Sequence, residues 1–359
     1  MQILVVDDSA VARLLLSSIF VAAGHQVLQA KDGYEALALL QKQQPDIVTM
    51  DVHMPGLNGF QTIVLMLEQY ALPVIVLTAD ANAKSASTAI QALACGALAV
   101  LEKPTGPTDP EFSAKAAELL QVVQLMAQVQ VVKRSAPANV AAPSSAIQAA
   151  LPPVLPQHSA LPQTPALLAI AASAGGPAAL KLLLPLLDNN ISWPVLLVQH
   201  ITHGFLDSFT DWLRQISKLP VHVARQGQTL LGGNIYLPPD GFHLECDAAR
   251  NIRLLKAHAD DLCVPSANRL FLSLAQHHPT QVVAVQLSGM GLDGANGIKA
   301  IVEAGGMGLV QDPATALIDS MPKAALQLCK PQYVESPQNL AWYINSLLSR
   351  SQPQQRSRK

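Results

Sequence analysis

The chain has 359 residues, half of them apolar, and a formal net charge of −2; that length fits two domains and that apolar share fills two cores. It has no basic block beyond a terminal "RSRK", no apolar run as long as a membrane span, and four scattered cysteines (Cys95, Cys246, Cys263, Cys329) without C-x-x-C pairs or the paired Cys/His spacing of a zinc motif, which argues against nucleic acid as a partner, against membrane insertion, and against a zinc site or disulfide framework. The first strand is expected to begin at Gln2, leaving no room for a signal peptide, so we expect a cytoplasmic protein with reduced, buried thiols.

In the first third, "ILVV", "QVLQ", "DIVTM", "VIVLT" and "LAVLE" read as strands, separated by helical segments such as "SAVARLLLSSIFVAAG" and "GYEALALLQKQQ". Alternation of this kind predicts a parallel α/β sheet. Ligands on such sheets gather beyond the C-terminal strand ends. Asp7 and Asp8 follow the first strand, Asp51 the third, Thr78 the fourth and Lys103 the fifth. Three crowded carboxylates repel, and a hard cation such as Mg²⁺, held by a few oxygen ligands and water, compensates them. With the metal and Lys103 neutralising charge, one carboxylate could attack a phosphoryl group, and Thr78 could hydrogen-bond the new phosphate. Each residue alone would pass for a turn cap, strand filler or solvated lysine; their joint occurrence at successive strand ends carries the expectation.

"ILVVDDSAVAR", "DVHMPGLNGF", "VIVLTA" and "LEKP" resemble a two-component receiver domain over residues 1–128. The resemblance implies a doubly wound, flavodoxin-like fold and phosphorylation of Asp51 by a histidine kinase, here of the chemotaxis type. Asp8, Asp51 and the His53 carbonyl would contact Mg²⁺, Asp7 would assist through water, and Thr78 and Lys103 would be switch residues. Where the family usually has an aromatic before "KP", this chain has Val100 or Leu101. That departure concerns the aromatic readout of phosphorylation, not phosphorylation itself.

Residues 129–165, rich in Ala, Pro, Ser and Gln and nearly uncharged after Arg134, read as a linker extended by its prolines. Beyond it, "ALLAIAAS", "PAALKLLLPLL" and "PVLLVQH" read as strand, helix and strand. A right-handed βαβ unit would set Ser173 and His200, 27 residues apart, beyond neighbouring strand ends. Glycines at 175 and 176 leave open a helix N-terminus, where unpaired N–H groups favour developing negative charge. "QVVAVQLSGMGLDGANG" is a further strand followed by a Gly-rich turn and Asp293, and its "GMG" lets the Met290 N–H face a ligand.

Serine, histidine and aspartate past strand ends are the inventory of nucleophilic acyl transfer: histidine takes the hydroxyl proton, aspartate orients the imidazole, and backbone N–H groups hold the oxyanion. The order Ser, His, Asp, and "AASAG" in place of G-x-S-x-G, disfavour an ordinary α/β-hydrolase. Singly, Ser173 could cap a helix, His200 could be a satisfied strand-end histidine with His203 as its competitor, and Asp293 could be a turn residue.

"ASAGGP", "LLVQHI", "GNIYLPPDGFHLE", "VPSANRLFLSLA", "LSGMGLDGANGI", "AGGMGLVQDPATA" and "MPKAAL" occur in the order of the chemotaxis-type protein-glutamate methylesterase family. The resemblance implies a doubly wound, mostly parallel α/β esterase domain over 166–350, with a polar tail at 351–359. It also implies hydrolysis of glutamyl methyl esters on the cytoplasmic domains of methylated chemoreceptors, in many members with glutamine deamidation. Ser173 would be the nucleophile, His200 the base, Asp293 the orienter and the Met290 backbone part of the oxyanion hole, with no cofactor for ester hydrolysis. Ala171 and Ala174 stand where the family commonly has glycine and threonine. A phosphate-accepting switch joined to a hydrolase suggests control of one by the other, through a receiver that covers the esterase cleft until phosphorylated. The rival reading is a phospho-receiver scaffold or phosphate sink whose esterase-like domain only binds a partner.

Overall fold

Five short segments, most of them apolar runs, become the strands of the first unit. They are β1 (Gln2–Val6), β2 (Gln26–Ala30), β3 (Ile47–Asp51), β4 (Val74–Thr78) and β5 (Ala99–Glu102). Between and after them lie α1 (Ala10–Ala22), α2 (Gly33–Leu40), α3 (Gly59–Gln69), α4 (Ala83–Cys95) and α5 (Phe112–Met126). The computed structural model describes residues 1–78, 83–106, 108–132 and 165–351, without the side chains of 83–85 and 349–351. Polar side chains begin the helices: Ser9 caps α1, Asp32 caps α2, and Asn58 with Gln61 forms a reciprocal capping box on α3. The sheet order is β2-β1-β3-β4-β5 with every pair parallel. The strand order therefore reverses between β1 and β3, the point where α/β sheets open a ligand crevice. Ile3, Val5, Phe20, Ile47, Ile75 and Leu119 form part of the core beneath it.

The second unit is built on β6 (Leu167–Ala172), α6 (Gly176–Leu183), β7 (Val195–Gln199), α7 (Leu206–Ile216), β8 (Val221–Val223), β9 (Ile235–Leu237), β10 (Phe242–Cys246) and β11 (Ile252–Lys256). It continues through α8 (Ala267–His277), β12 (Val282–Gln286), α9 (Ala295–Glu303), β13 (Met307–Gln311), α10 (Ser320–Leu328), β14 (Tyr333–Glu335) and α11 (Pro337–Ser351). Seven strands lie in the order β14-β13-β12-β6-β7-β9-β8, all neighbours parallel, and β10-β11 is a separate antiparallel hairpin. β6, β7 and β12 are buried on both faces, which is why they read as unbroken apolar runs. After β7 the chain grows to one side of β6, and β12 returns to the other, so the ends of β7, β6 and β12 stand side by side. Pro177 opens α6, whose missing N–H costs nothing in the first turn.

The chain divides into these two compact units. Most of the expected linker, at 133–164, and the tail at 352–359 lie outside the described residues. Among the described residues no helix is long and apolar enough to cross a membrane.

Candidate functional site

In the first unit the expected residues meet at the sheet's switch point. Asp7 is fixed by its own N–H, which donates to the Ala30 carbonyl at 3.1 Å, and by the Ser9 N–H, which donates to Oδ1 at 2.9 Å. Arg13 reaches back to the carbonyls of Asp7 and Asp8 at 2.6 and 3.1 Å. Asp51 Oδ1 accepts from the Val52 N–H at 2.8 Å. Lys103 Nζ lies 2.8 Å from Asp7 Oδ2 and 2.9 Å from Asp51 Oδ1, and the Lys103 N–H donates to the Thr78 carbonyl at 2.8 Å. Thr78 is buried, whereas Asp8 and His53 are exposed. Val100 and Leu101 are half-buried on β5.

Carboxylate oxygens of Asp7, Asp8 and Asp51 all lie within 4.8 Å of one another. Burial pushes the Asp7 carboxyl up, against the opposing pull of Lys103. Burial would lower Lys103, but its hydrogen bonds to Asp7 and Asp51 and their negative charge outweigh that and hold the ammonium up. Two of the three carboxylates, Asp7 and Asp51, thus share one ammonium. An all-oxygen set with uncompensated charge and one exposed side fits a hard divalent cation.

In the second unit Ser173 follows β6, His200 follows β7, and Asp293 lies in the loop after β12. His200 Nε2 is 3.0 Å from Asp293 Oδ2. His203, the competitor, is exposed and lines a cavity of about 250 Å³ beside His200, with Gln199, Ile201, Pro239 and Pro265 among the other walls. With Nε2 turned to Asp293, Nδ1 remains the imidazole nitrogen free to take a proton. Among the described residues Ser173 Oγ has no hydrogen bond to His200, a separation common before substrate is bound.

Asp293 sits over the start of α8. Its carboxylate accepts from Ser266 Oγ at 3.0 Å, Ala267 N–H at 2.6 Å, Asn268 N–H at 2.9 Å and Gly294 N–H at 3.0 Å. Burial would raise this carboxyl, but the His200 hydrogen bond and the Asn268 and Ala267 N–H groups hold it below the usual carboxylate range. The "VPSAN" stretch thereby acquires a physical role, as a helix N-terminus that keeps Asp293 ionised.

Around Ser173 the chain is close-packed. Its N–H donates to the Ser288 carbonyl at 3.0 Å, and a Cβ on Gly289 would come within 2.8 Å of Ser173 Cβ and collide with Met321 Sδ. Gly175 takes φ +76°, a left-handed conformation that starts α6. Among the described residues the N–H groups of Ala174, Gly175 and Met290 have no hydrogen-bond partner.

Three side chains that the sequence reading passed over pin these turns. Gln199 Nε2 donates to the carbonyls of Ser173 and His200, at 2.8 and 2.9 Å. Gln286 Nε2 donates to the Asp293 carbonyl at 3.0 Å. Gln311 accepts from the Ser288 N–H at 2.8 Å and donates to the Thr315 carbonyl at 3.0 Å. Their signal was present: β7, β12 and β13 each end in "VQ". A further grouping was hidden by sequence distance, since Cys263 offers its Sγ within 4.8 Å of ligand atoms of His200 and Asp293. The four cysteines form no disulfide, but only Cys246 is buried, against the expectation for all of them.

Two family models match the chain: CheB methylesterase over residues 168–344 and response regulator receiver domain over residues 3–110. Protein-glutamate methylesterase/protein-glutamine glutaminase 3 of Hahella chejuensis is 39% identical over 348 residues, covering 97% of this chain and 98% of its own. Protein-glutamate methylesterase/protein-glutamine glutaminase 4 of Geobacter metallireducens is 36% identical over 349 residues, covering 96% and 98%. The crystal structure of the Thermotoga maritima CheB methylesterase catalytic domain aligns with 52% of this chain and 99% of its own, at 27% identity and a TM-score of 0.48.

Proposed function

Because the chain belongs to the CheB methylesterase family and carries a response regulator receiver domain ahead of the catalytic region, we propose that it hydrolyses glutamyl methyl esters on methylated chemoreceptors under control of Asp51 phosphorylation. The observation that carries the chemistry is the 3.0 Å contact between His200 and Asp293 beside the strand that delivers Ser173.

Ser173 Oγ attacks the ester carbonyl while its proton passes to His200 Nδ1, and Asp293 stabilises the imidazolium through Nε2–H. The unpartnered N–H of Met290, with those of Ala174 and Gly175 at the start of α6, supports an oxyanion site. The imidazolium then gives its proton to the leaving methoxide, releasing methanol. Water, activated by the same nitrogen, cleaves the glutamyl-serine ester to glutamate and free Ser173. With a glutamine side chain the same steps release ammonia. The cavity beside His200 offers room for substrate side chains flanking the ester.

In the receiver, Asp7, Asp8, Asp51 and the His53 carbonyl would hold Mg²⁺, which when bound offsets charge on phosphoryl oxygens. Asp51 accepts the phosphoryl group from a chemotaxis-type histidine kinase. Lys103 then exchanges its contact with the Asp51 carboxylate for one with the phosphate, and the Thr78 hydroxyl hydrogen-bonds a phosphate oxygen. The catalytic region itself uses no cofactor. The chain works in the cytoplasm, where kinase and receptor tips meet it.

The test is methanol release from membranes bearing methylated cognate receptors, with wild type and Ser173→Ala, each with and without Mg²⁺ and a small phosphodonor. Release that requires Ser173 and rises with phosphodonor is expected. No Ser173-dependent release, despite phosphorylated Asp51, would replace this reading with a scaffold or phosphate sink.

A further inference from the structure

We propose that His200, Cys263 and Asp293 form an inhibitory site for a thiophilic divalent cation, with Zn²⁺ as the representative ion. The binding half of the proposal stands on geometry alone; the inhibitory half rests on the reading of His200 as the base.

The three side chains come from separate loops: the turn after β7, the segment between β11 and α8, and the loop after β12. One ligand atom from each lies within 4.8 Å of the other two. Zinc bonds of about 2.0–2.3 Å in tetrahedral array bring ligand atoms to about 3.3–3.7 Å of one another, so small side-chain adjustments close the site. The His200 to Asp293 edge is already at 3.0 Å.

The donors are an imidazole nitrogen, a thiol sulfur and a carboxylate oxygen, which suit a borderline-soft ion. The receiver pocket offers only oxygens and suits a hard one. Donor chemistry therefore separates the two sites within one chain.

The surroundings are also those of a ligand set. Asp293 is held from behind by Ser266 Oγ and two α8 N–H groups, the kind of outer support that orients a metal-bound carboxylate. Burial, and then the charge of Asp293, push the Cys263 thiol up, so without metal it is a neutral neighbour of the His–Asp pair. Val264 and Pro265, the next two residues, wall the cavity beside His200, which gives an ion a path inward.

The proton balance gives the mechanism of inhibition. Binding releases the Cys263 thiol proton to solvent. The metal takes the Nε2 lone pair, so the imidazole proton moves from Nε2 to Nδ1. With Nδ1 protonated and Nε2 coordinated, no nitrogen is left to accept the proton of Ser173. The three protein ligands leave a fourth position for water.

The full-length chain, kept reduced and in excess Mg²⁺ to occupy the receiver pocket, should show a thiolate-to-metal absorption band with Co²⁺ that Cys263→Ser abolishes. Zn²⁺ should suppress methanol release by wild type, reversibly on adding a chelator. Cys263→Ser should keep the metal-free rate but need at least about tenfold more Zn²⁺ for half inhibition, since even outer-shell partners are worth about 10–100-fold in metal affinity. Equal Zn²⁺ sensitivity of the two proteins, no cobalt band in wild type, or a band that survives Cys263→Ser would overturn the proposal. If wild type released no methanol without Zn²⁺, the esterase reading would fail, and the cobalt band would still uphold or overturn the site.

Discussion

The carboxylate of Asp293 faces His200 on one side and the first turn of α8 on the other, so the residue proposed to orient the base is itself oriented by a helix. Asp293→Asn would set an amide N–H against donors and unfix the imidazole tautomer. We expect kcat for methanol release to fall by about 10⁴ with little change in KM. A second histidine–carboxylate pair stands behind it: His243 Nε2 is 2.9 Å from Asp261, and His243 Nδ1 accepts from the Ser266 N–H at 3.0 Å. Hydrogen bonds from His243 and from the His258 N–H hold the Asp261 carboxyl down at about 2. A carboxyl lowered by folding stabilises the native state above its unfolded value and loses that contribution as pH falls through the folded one. Wild type should therefore be more stable than Asp261→Asn at neutral pH, and the gap should close between the usual carboxylate value of about 4 and about 2. Denaturant midpoints across that range would check it; a gap independent of pH would refute it. Ser173, His200 and Asp293 were legible because each stands just past an apolar run or its Gly-rich turn. Ser266 and Cys263 were not, since their partners lie across the fold and the segment carrying them has no period.

At the scale of elements, the ends of three strands do the positioning. Gln199, Gln286 and Gln311 are buried, and each spends its amide on the turns that hold Ser173, His200, Asp293 and Ser288. Gln286→Leu keeps the volume but orphans the Asp293 carbonyl, at a cost of about 1–3 kcal/mol in unfolding free energy. It should also lower kcat more than it raises KM, because it loosens the orienter and not the substrate's binding surface. Loss of stability with unchanged kcat would make Gln286 a core residue only. The long buried strands were readable from their apolar runs. β8, β9 and β14, at three residues each, are too short to show a period, and their strand state is imposed by neighbours.

For the molecule as a whole, coupling between the units is a matter of free energy: tenfold activation by phosphorylation needs about 1.4 kcal/mol of differential interaction with two arrangements. Asp51→Asn should retain the basal rate and lose the response to phosphodonor. A fragment beginning near Gln163 should run at the activated rate without phosphodonor if the receiver represses, and at the slow basal rate if phosphorylation acts otherwise. The expectation of two units rested on the shift in composition at residues 129–165, poor in charge and rich in proline, most of which lie outside the described residues. The strand-end glutamines also bear on how such a chain can change. Each of these amide bonds ends on a main-chain atom, so it is indifferent to the side chain that the pinned residue carries. Exchanging the side chain of a pinned residue therefore leaves these contacts in place, whereas a Cβ added at Gly176 or Gly294 would run into the Gln199 or Gln286 amide and displace the pin itself.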